Sequence, residues 1–202
     1  MTRRDELHKG LPVLVFACEG DWDGWLAKEG ASSAGVWLKF AKPTAGAPSV
    51  TKAQALETAL RHGWIDGQLD RWDADWWLAR FTPRGPRSKW SQRNRETAER
   101  LIRAGKMTPA GLAEVERAKA DGRWDAAYPA QSKAEVPTDL AAALEAAPAA
   151  RAFFATLTGA NRFAVLYRIH DAKTAKTRAA RIETFVAMLA RGETVYPVGK
   201  RR

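Results

Sequence analysis

All nine tryptophans of this 202-residue chain lie before residue 125, and from Pro137 onward the sequence is alanine-rich with helical spacing. One homogeneous packing unit does not fit that division. Large aromatics in short, alternating segments suit a sheet with helices laid on it. Alanine-rich amphipathic stretches suit helix against helix. The chain therefore reads as α+β: an N-terminal small antiparallel or mixed sheet with flanking helices, followed by a C-terminal all-α helical bundle. The expected boundaries are 1–124 for the α+β domain, 125–136 for a linker, 137–197 for the helical module and 198–202 for a frayed basic tail.

The N-terminal elements follow from local pattern. Leu11 to Ala17 reads as a strand, Asp21 to Ala31 as a helix capped by Asp21, and Gly35 to Lys42 as a strand. In that strand Val36, Leu38 and Phe40 alternate against Trp37 and Lys39. Ser49 or Thr51 opens a helix that Gly63 ends. Trp64–Gln68 and Asp75–Phe81 flank a polar turn and read as an antiparallel pair. Ser91 caps a helix to Ala104, and Thr108-Pro109 starts another to about Ala120. In the last third, helices start at Thr138, Pro148, Thr158 and Thr177, with Phe163, Leu166, Tyr167 and His170 placed on one face.

Several function classes find no support. A single cysteine, Cys18, cannot build a disulfide framework or a zinc site. His8, His62 and His170 are far apart in sequence, so neither metal nor cofactor is expected, and His170 reads as a packed core histidine. No nucleophile elbow and no glycine-rich phosphate cradle occurs. The longest apolar run, near Leu11–Ala17, is too short for a membrane span, so no membrane insertion is expected. The opening MTRRDELHKG does not lead into a cleavage site, and a cytoplasmic location is expected.

Charge is the second organising feature. The net charge is +10, with 33 basic and 23 acidic residues. Residues 80–106 and 162–202 each carry an excess of seven positive charges, so two blocks hold more than the whole imbalance. Such blocks attract phosphates, nucleic acid or acidic surfaces. Within the first, Arg80-Phe-Thr-Pro-Arg-Gly-Pro-Arg-Ser-Lys-Trp-Ser91 joins a strand to a helix. Its prolines stiffen the loop and its guanidinium forks match phosphate or carboxylate oxygens. Trp90 offers a ring face, and the helix after Ser91 offers a positive dipole end. The candidate ligand-binding set is Arg80, Arg84, Arg87, Ser88, Lys89, Trp90 and Asn94, with Trp64 beside it. The competing structural reading packs Trp90 inward and pairs the arginines with Asp66, Asp70 or Asp73. On the following helix, Arg93, Arg100 and Arg103 share one side with Glu96 among them. Asp66, in Gly63-Trp-Ile-Asp-Gly67, is a weak candidate acid or base.

These strings carry a resemblance. Ala59-Leu60, Gly63-Trp-Ile-Asp-Gly-Gln68, Arg80-Phe-Thr-Pro, Pro86-Arg-Ser-Lys-Trp-Ser91, Asn94 and Gly105-Lys-Met-Thr-Pro-Ala-Gly111 resemble the YdeI/OmpD-associated, or bacteriocin-protection, family. So do Leu140-Ala-Ala-Ala-Leu144, Ala149 to Phe154 and Ala172 to Glu183, making a resemblance from about Leu11 to Pro197. It implies a bacterial stress or resistance protein and no catalytic residue. The expected function is non-enzymatic, binding an anionic small molecule or protein partner through residues 80–91. One rival is nucleic-acid binding by the same loop and the basic C-terminal helices. Another is an enzyme using Asp66 on a small phosphorylated or carboxylated substrate. Direct capture of a cationic peptide is disfavoured by like charge.

Overall fold

A computed structural model of the protein describes residues 6–131 and 134–197. The chain divides into two compact units, Met1–Ala127 and Tyr128–Arg202, a division that falls inside the 125–136 stretch. The architecture is α+β in the first unit and all-α in the second.

The first unit is built on a five-stranded sheet in the order β1-β2-β3-β5-β4. The strands are β1 (Leu7–His8), β2 (Leu11–Leu14), β3 (Val36–Ala41), β4 (Trp64–Arg71) and β5 (Trp76–Pro83). The sheet is mixed. β2 and β3 run parallel in register Val13↔Trp37 and Leu14↔Leu38, and helix α1 (Glu19–Glu29) is their crossover. The remaining pairs are antiparallel. The strand expected to reach Ala17 stops at Leu14, because the chain leaves the sheet there to enter α1. β1 was not anticipated. It is two residues long and turns back through Lys9 and Gly10, both at positive φ.

Helix α1 begins two residues before Asp21, with Cys18 at its N-cap. Asp21 therefore meets the helix dipole from inside the first turn and does not cap it. Helix α2 (Lys52–Arg61) opens with a full capping box, Thr51 against Gln54, while the Ser49 hydroxyl instead accepts the Ala41 N–H at 3.0 Å. Helices α3 (Gln92–Arg103) and α4 (Pro109–Ala120) are capped by Ser91 and Thr108, as the sequence dictates.

Both faces of the sheet are covered at β3. Leu38 and Phe40 join Trp22, Leu26, Trp64 and Phe81 on the α1–α2 side. Trp37, which the alternation sets against Leu38 and Phe40, is buried with Val13 and Leu78 on the other. Trp22 is fully enclosed, and its indole N–H donates to the Ala55 carbonyl at 3.1 Å, which removes the cost of burying that donor. A further cluster joins Leu60 of α2, Ala98 and Leu101 of α3, Val115 and Ala118 of α4, and Trp90 and Trp124.

The second unit consists of α5 (Thr138–Glu145), α6 (Pro148–Thr156), α7 (Gly159–His170) and α8 (Ala175–Ala190). Its core holds Leu140, Leu144, Phe154, Val165, Leu166, Ile169, Ile182, Phe185 and Leu189. Two expectations are corrected here. The cap of α8 is Thr174, whose hydroxyl accepts the Thr177 N–H at 3.1 Å. The buried stripe of α7 runs through Val165, Leu166 and Ile169, so His170, about 100° further round, is exposed and is not a core histidine. Phe163 and Tyr167 instead pack against Tyr128. The tail expected to fray, 198–202, lies outside the described residues. No helix among the described residues is long and apolar enough to cross a membrane.

Candidate functional site

Strand β5 carries Arg80 opposite Trp37 of β3, and the chain then leaves the sheet at Pro83. The Arg84 N–H donates to the Gly63 carbonyl at 2.9 Å, tying the loop to the start of β4. The next four residues close a tight turn. The Ser88 hydroxyl accepts the Gly85 N–H at 3.0 Å, and the Ser88 N–H donates back to the Gly85 carbonyl at 2.9 Å. Arg123 reaches over from beyond α4 to donate to the Ser88 carbonyl at 2.7 Å, while also pairing with Asp121. Arg123 holds the Asp121 carboxyl below its ordinary value by that hydrogen bond.

The interior of the turn is an arginine on an indole. The Arg84 guanidinium lies 3.6 Å from the Trp90 ring centroid and donates to the Lys89 carbonyl at 3.3 Å. Arg84 is 4% exposed and Trp90 1%. Trp90 meets Trp124 edge-on at 4.8 Å. This corrects the picture of an open indole flanked by outward cations. A π-face already occupied by Arg84 and closed by Trp124 offers nothing to a ligand. Asn94 is also buried, and its backbone N–H is taken by the Ser91 hydroxyl at 3.1 Å, so that donor of the helix start is spent on its own cap. Trp64 is 2% exposed, walled by Trp22 and Trp25.

Asp66 is half-buried and engaged by the Lys52 ammonium, whose Nζ also sits 4.9 Å over the Phe81 ring. The other carboxylates that the structural reading pairs with the arginines serve elsewhere. Asp70 accepts from Lys9 at 2.6 Å and from His8 at 2.9 Å, which together hold its carboxyl well below the usual range. The Asp73 carboxylate accepts the Asp75 and Trp76 N–H groups.

On α3 the charge is divided. Arg100 makes a two-pronged contact with Glu57 of α2, at 3.2 and 2.6 Å, and this hydrogen bonding lowers the Glu57 carboxyl. Arg95 pairs with Glu99 at 3.7 Å. The charge is thus spent through Glu57 and Glu99, whereas Glu96 was the expected partner. Arg87, Arg93 and Arg103 are exposed and have no carboxylate partner among the described residues. Arg93 and Arg103 lie about 80° apart around the helix and about 15 Å apart along it. The free basic surface therefore lies on the rim of the loop and on one side of α3, with the loop's interior closed. The hundred-degree helical pattern signalled the α3 part; nothing in the loop's spacing signalled which arginine turns inward.

Two family models match the chain. One, described as Bacteriocin-protection, YdeI or OmpD-Associated, matches residues 133–192. The other, described as Domain of unknown function (DUF8412), matches residues 14–114. The W-I-D-G-Q and P-R-S-K-W-S strings fall within the second span. No curated protein and no solved structure matches.

Proposed function

The chain belongs to the DUF8412 family through residues 14–114 and carries a Bacteriocin-protection, YdeI or OmpD-Associated module at 133–192, and from that premise we propose a non-enzymatic stress or resistance protein that docks an acidic partner. The docking surface is the side of α3 bearing Arg93 and Arg103, with Arg87 on the adjoining loop. One observation carries this reading. These three guanidinium groups are exposed and have no carboxylate partner among the described residues, while Arg95, Arg100 and Arg123 beside them are engaged by carboxylates. An uncompensated surface charge steers an oppositely charged partner and repels a like one. A resistance role through this face is therefore indirect, since a cationic peptide is repelled by it. The proposed location is the cytoplasm, a reducing compartment with which the exposed free thiol of Cys18 is compatible.

Immobilised heparin, a polyanion, tests the surface. Arg93→Glu/Arg103→Glu is compared with Lys173→Glu/Lys176→Glu, which makes the same change in net charge at exposed lysines of the second unit. The α3 variant is expected to elute at clearly lower salt than the lysine variant. Equal shifts would reduce the effect to net charge and overturn the assignment to α3, as would unchanged elution of the α3 variant.

A further inference from the structure

Helices α5 and α8 are tied at one end by the Arg178–Asp139 pair and leave an open groove of about 730 Å³ between them. Its lining is apolar. Ala143 and Ala147 of α5 form one wall, and Ala179, Ile182 and Val186 of α8 form the other. On α8 the groove extends from Ala175 to Ala190, about 22 Å along the helix. Ala175, Ala179 and Ala190 are exposed along it and Val186 is half-buried. A trough between two packed helices has the width and the ridges to seat a third helix.

Charge selects which helix. Four charged residues lie on α8. Arg178 is engaged by Asp139, and Arg181 approaches Asp171 at 3.8 Å. The remaining two, Lys176 and Glu183, are exposed and have no ion-pair partner among the described residues. They are seven residues apart, so they lie within about 20° of each other on one flank of the groove-facing stripe. Opposite charges one heptad apart on one flank complement the same flank running in reverse. A two-fold axis across the helix brings each lysine to the other copy's glutamate. A parallel copy leaves them about 10 Å apart along the axis.

Side-chain size selects the same arrangement. With the two-fold axis midway between Ala180 and Arg181, Ala179 meets the copy's Ile182, and Ala175 meets the copy's Val186. A small residue then faces a large one at both levels, as interdigitating layers require. In that register Lys176 and the copy's Glu183 are offset by two residues, about 3 Å along the axis, within reach of a lysine side chain. Charge and volume are independent properties of the sequence, and both fix one register. We infer that α8 packs antiparallel on α8 of a second copy, each lying in the other's α5–α8 groove, so that the chain forms a two-fold dimer through its second unit.

Sedimentation velocity of the full chain from about 1 to 300 µM tests this, with a reversible dimer expected to form below about 100 µM. Lys176→Glu and Glu183→Lys each set like charges together at two symmetric contacts and should weaken the dimer about tenfold or more. They move the net charge in opposite directions, so a shared weakening is not a net-charge effect. Lys176→Glu/Glu183→Lys should recover the parent's dissociation constant to within about threefold. Ala179→Arg, at an exposed position, should abolish the dimer and leave Tm near the parent's. Arg93→Glu/Arg103→Glu should dimerise like the parent, which separates this surface from α3. Lys173→Glu/Lys176→Glu should sediment as a monomer. Repeating the heparin comparison in the Ala179→Arg background, where every chain is monomeric, keeps the two readings apart. A monomer at every concentration, single reversals without effect, a double reversal as weak as the single ones, or an Ala179→Arg chain that dimerises like the parent would each overturn the inference.

Discussion

Single residues decide which positive charges are structural and which are available. Arg84 and Arg87 are three positions apart in one loop, yet the first is 4% exposed and stacked on Trp90 while the second is exposed. Removing Arg84 takes away a guanidinium that fills space on an enclosed indole as well as a charge. Arg84→Ala is expected to cost about 2–4 kcal/mol, from the cavity plus the lost cation–π contact. Arg87→Ala should change stability by less than about 0.5 kcal/mol. Urea denaturation of both variants checks this, and a neutral Arg84→Ala would remove its structural role. The sequence could not distinguish the two. A loop has no period, so alternating arginine and proline says that cations are close together, not which way each points. What is legible is the competition itself. Trp90 suits a core or a platform by its neighbours in sequence, and the deciding partner, Trp124, lies 34 positions on, beyond any local pattern.

At the scale of elements, local capping chemistry placed three helix starts, with Thr51 chosen over Ser49, and misplaced two, at Asp21 and Thr177. Thr51, Ser91 and Thr108 cap because each places a hydroxyl three residues before an unpaired helical N–H. Thr51→Ala should cost about 1 kcal/mol in thermal or chemical unfolding. The contacts that these helices then make were not legible. Gly111, in the first turn of α4, lies against the end of α2: a Cβ there would stand 2.1 Å from the Arg61 carbonyl oxygen and 2.8 Å from Met107 Cε. That same carbonyl accepts both the Thr108 hydroxyl, at 2.7 Å, and its N–H, at 3.1 Å. Gly111→Ala must therefore push α4 off α2 and break its anchoring hydrogen bonds, at a cost of about 3 kcal/mol or more. A Gly111→Ala protein with the parent's midpoint would refute that packing. In the second unit, Arg178 of α8 ties α5 and α7 together through Asp139, at 2.5 and 2.8 Å, and the Ile169 carbonyl, at 3.1 Å. The Arg178 hydrogen bond holds the Asp139 carboxyl below its ordinary value of 3.8. A carboxyl depressed in the folded state stabilises above its unfolded value, and the stabilisation fades as pH falls through the folded one. Asp139→Asn should thus melt lower than the parent at pH 7, with the difference shrinking below about pH 4. A constant difference across that range would mean that the ion pair is not the cause.

For the whole molecule, the division of tryptophan and alanine anticipated a change from sheet-and-helix layers to helix on helix, because large aromatics fill the space between a sheet and its helices and small residues let helices approach closely. The basic excess was equally plain in composition, but its usable fraction was not, since pairing across helices depends on the fold. Arg100 finds Glu57 at a sequence distance of 43, and only a folded α2–α3 contact makes that charge unavailable. The surviving basic surface makes a quantitative claim. A protein that neutralises Z phosphates of a duplex loses affinity with salt at a log–log slope of about −0.9Z. If Arg93 and Arg103 each meet one phosphate, Arg93→Ala/Arg103→Ala should make the slope shallower by about 2 on any duplex sequence. Trp90 is enclosed by Arg84 and Trp124, so the loop has no ring on which an unstacked base can lie. Single strands should accordingly gain no advantage over duplex of equal length. A slope left unchanged by the two substitutions would mean that a polyanion contacts some other surface. A marked preference for single strands would point to an aromatic platform elsewhere in the molecule and would detach nucleic-acid binding from α3 altogether.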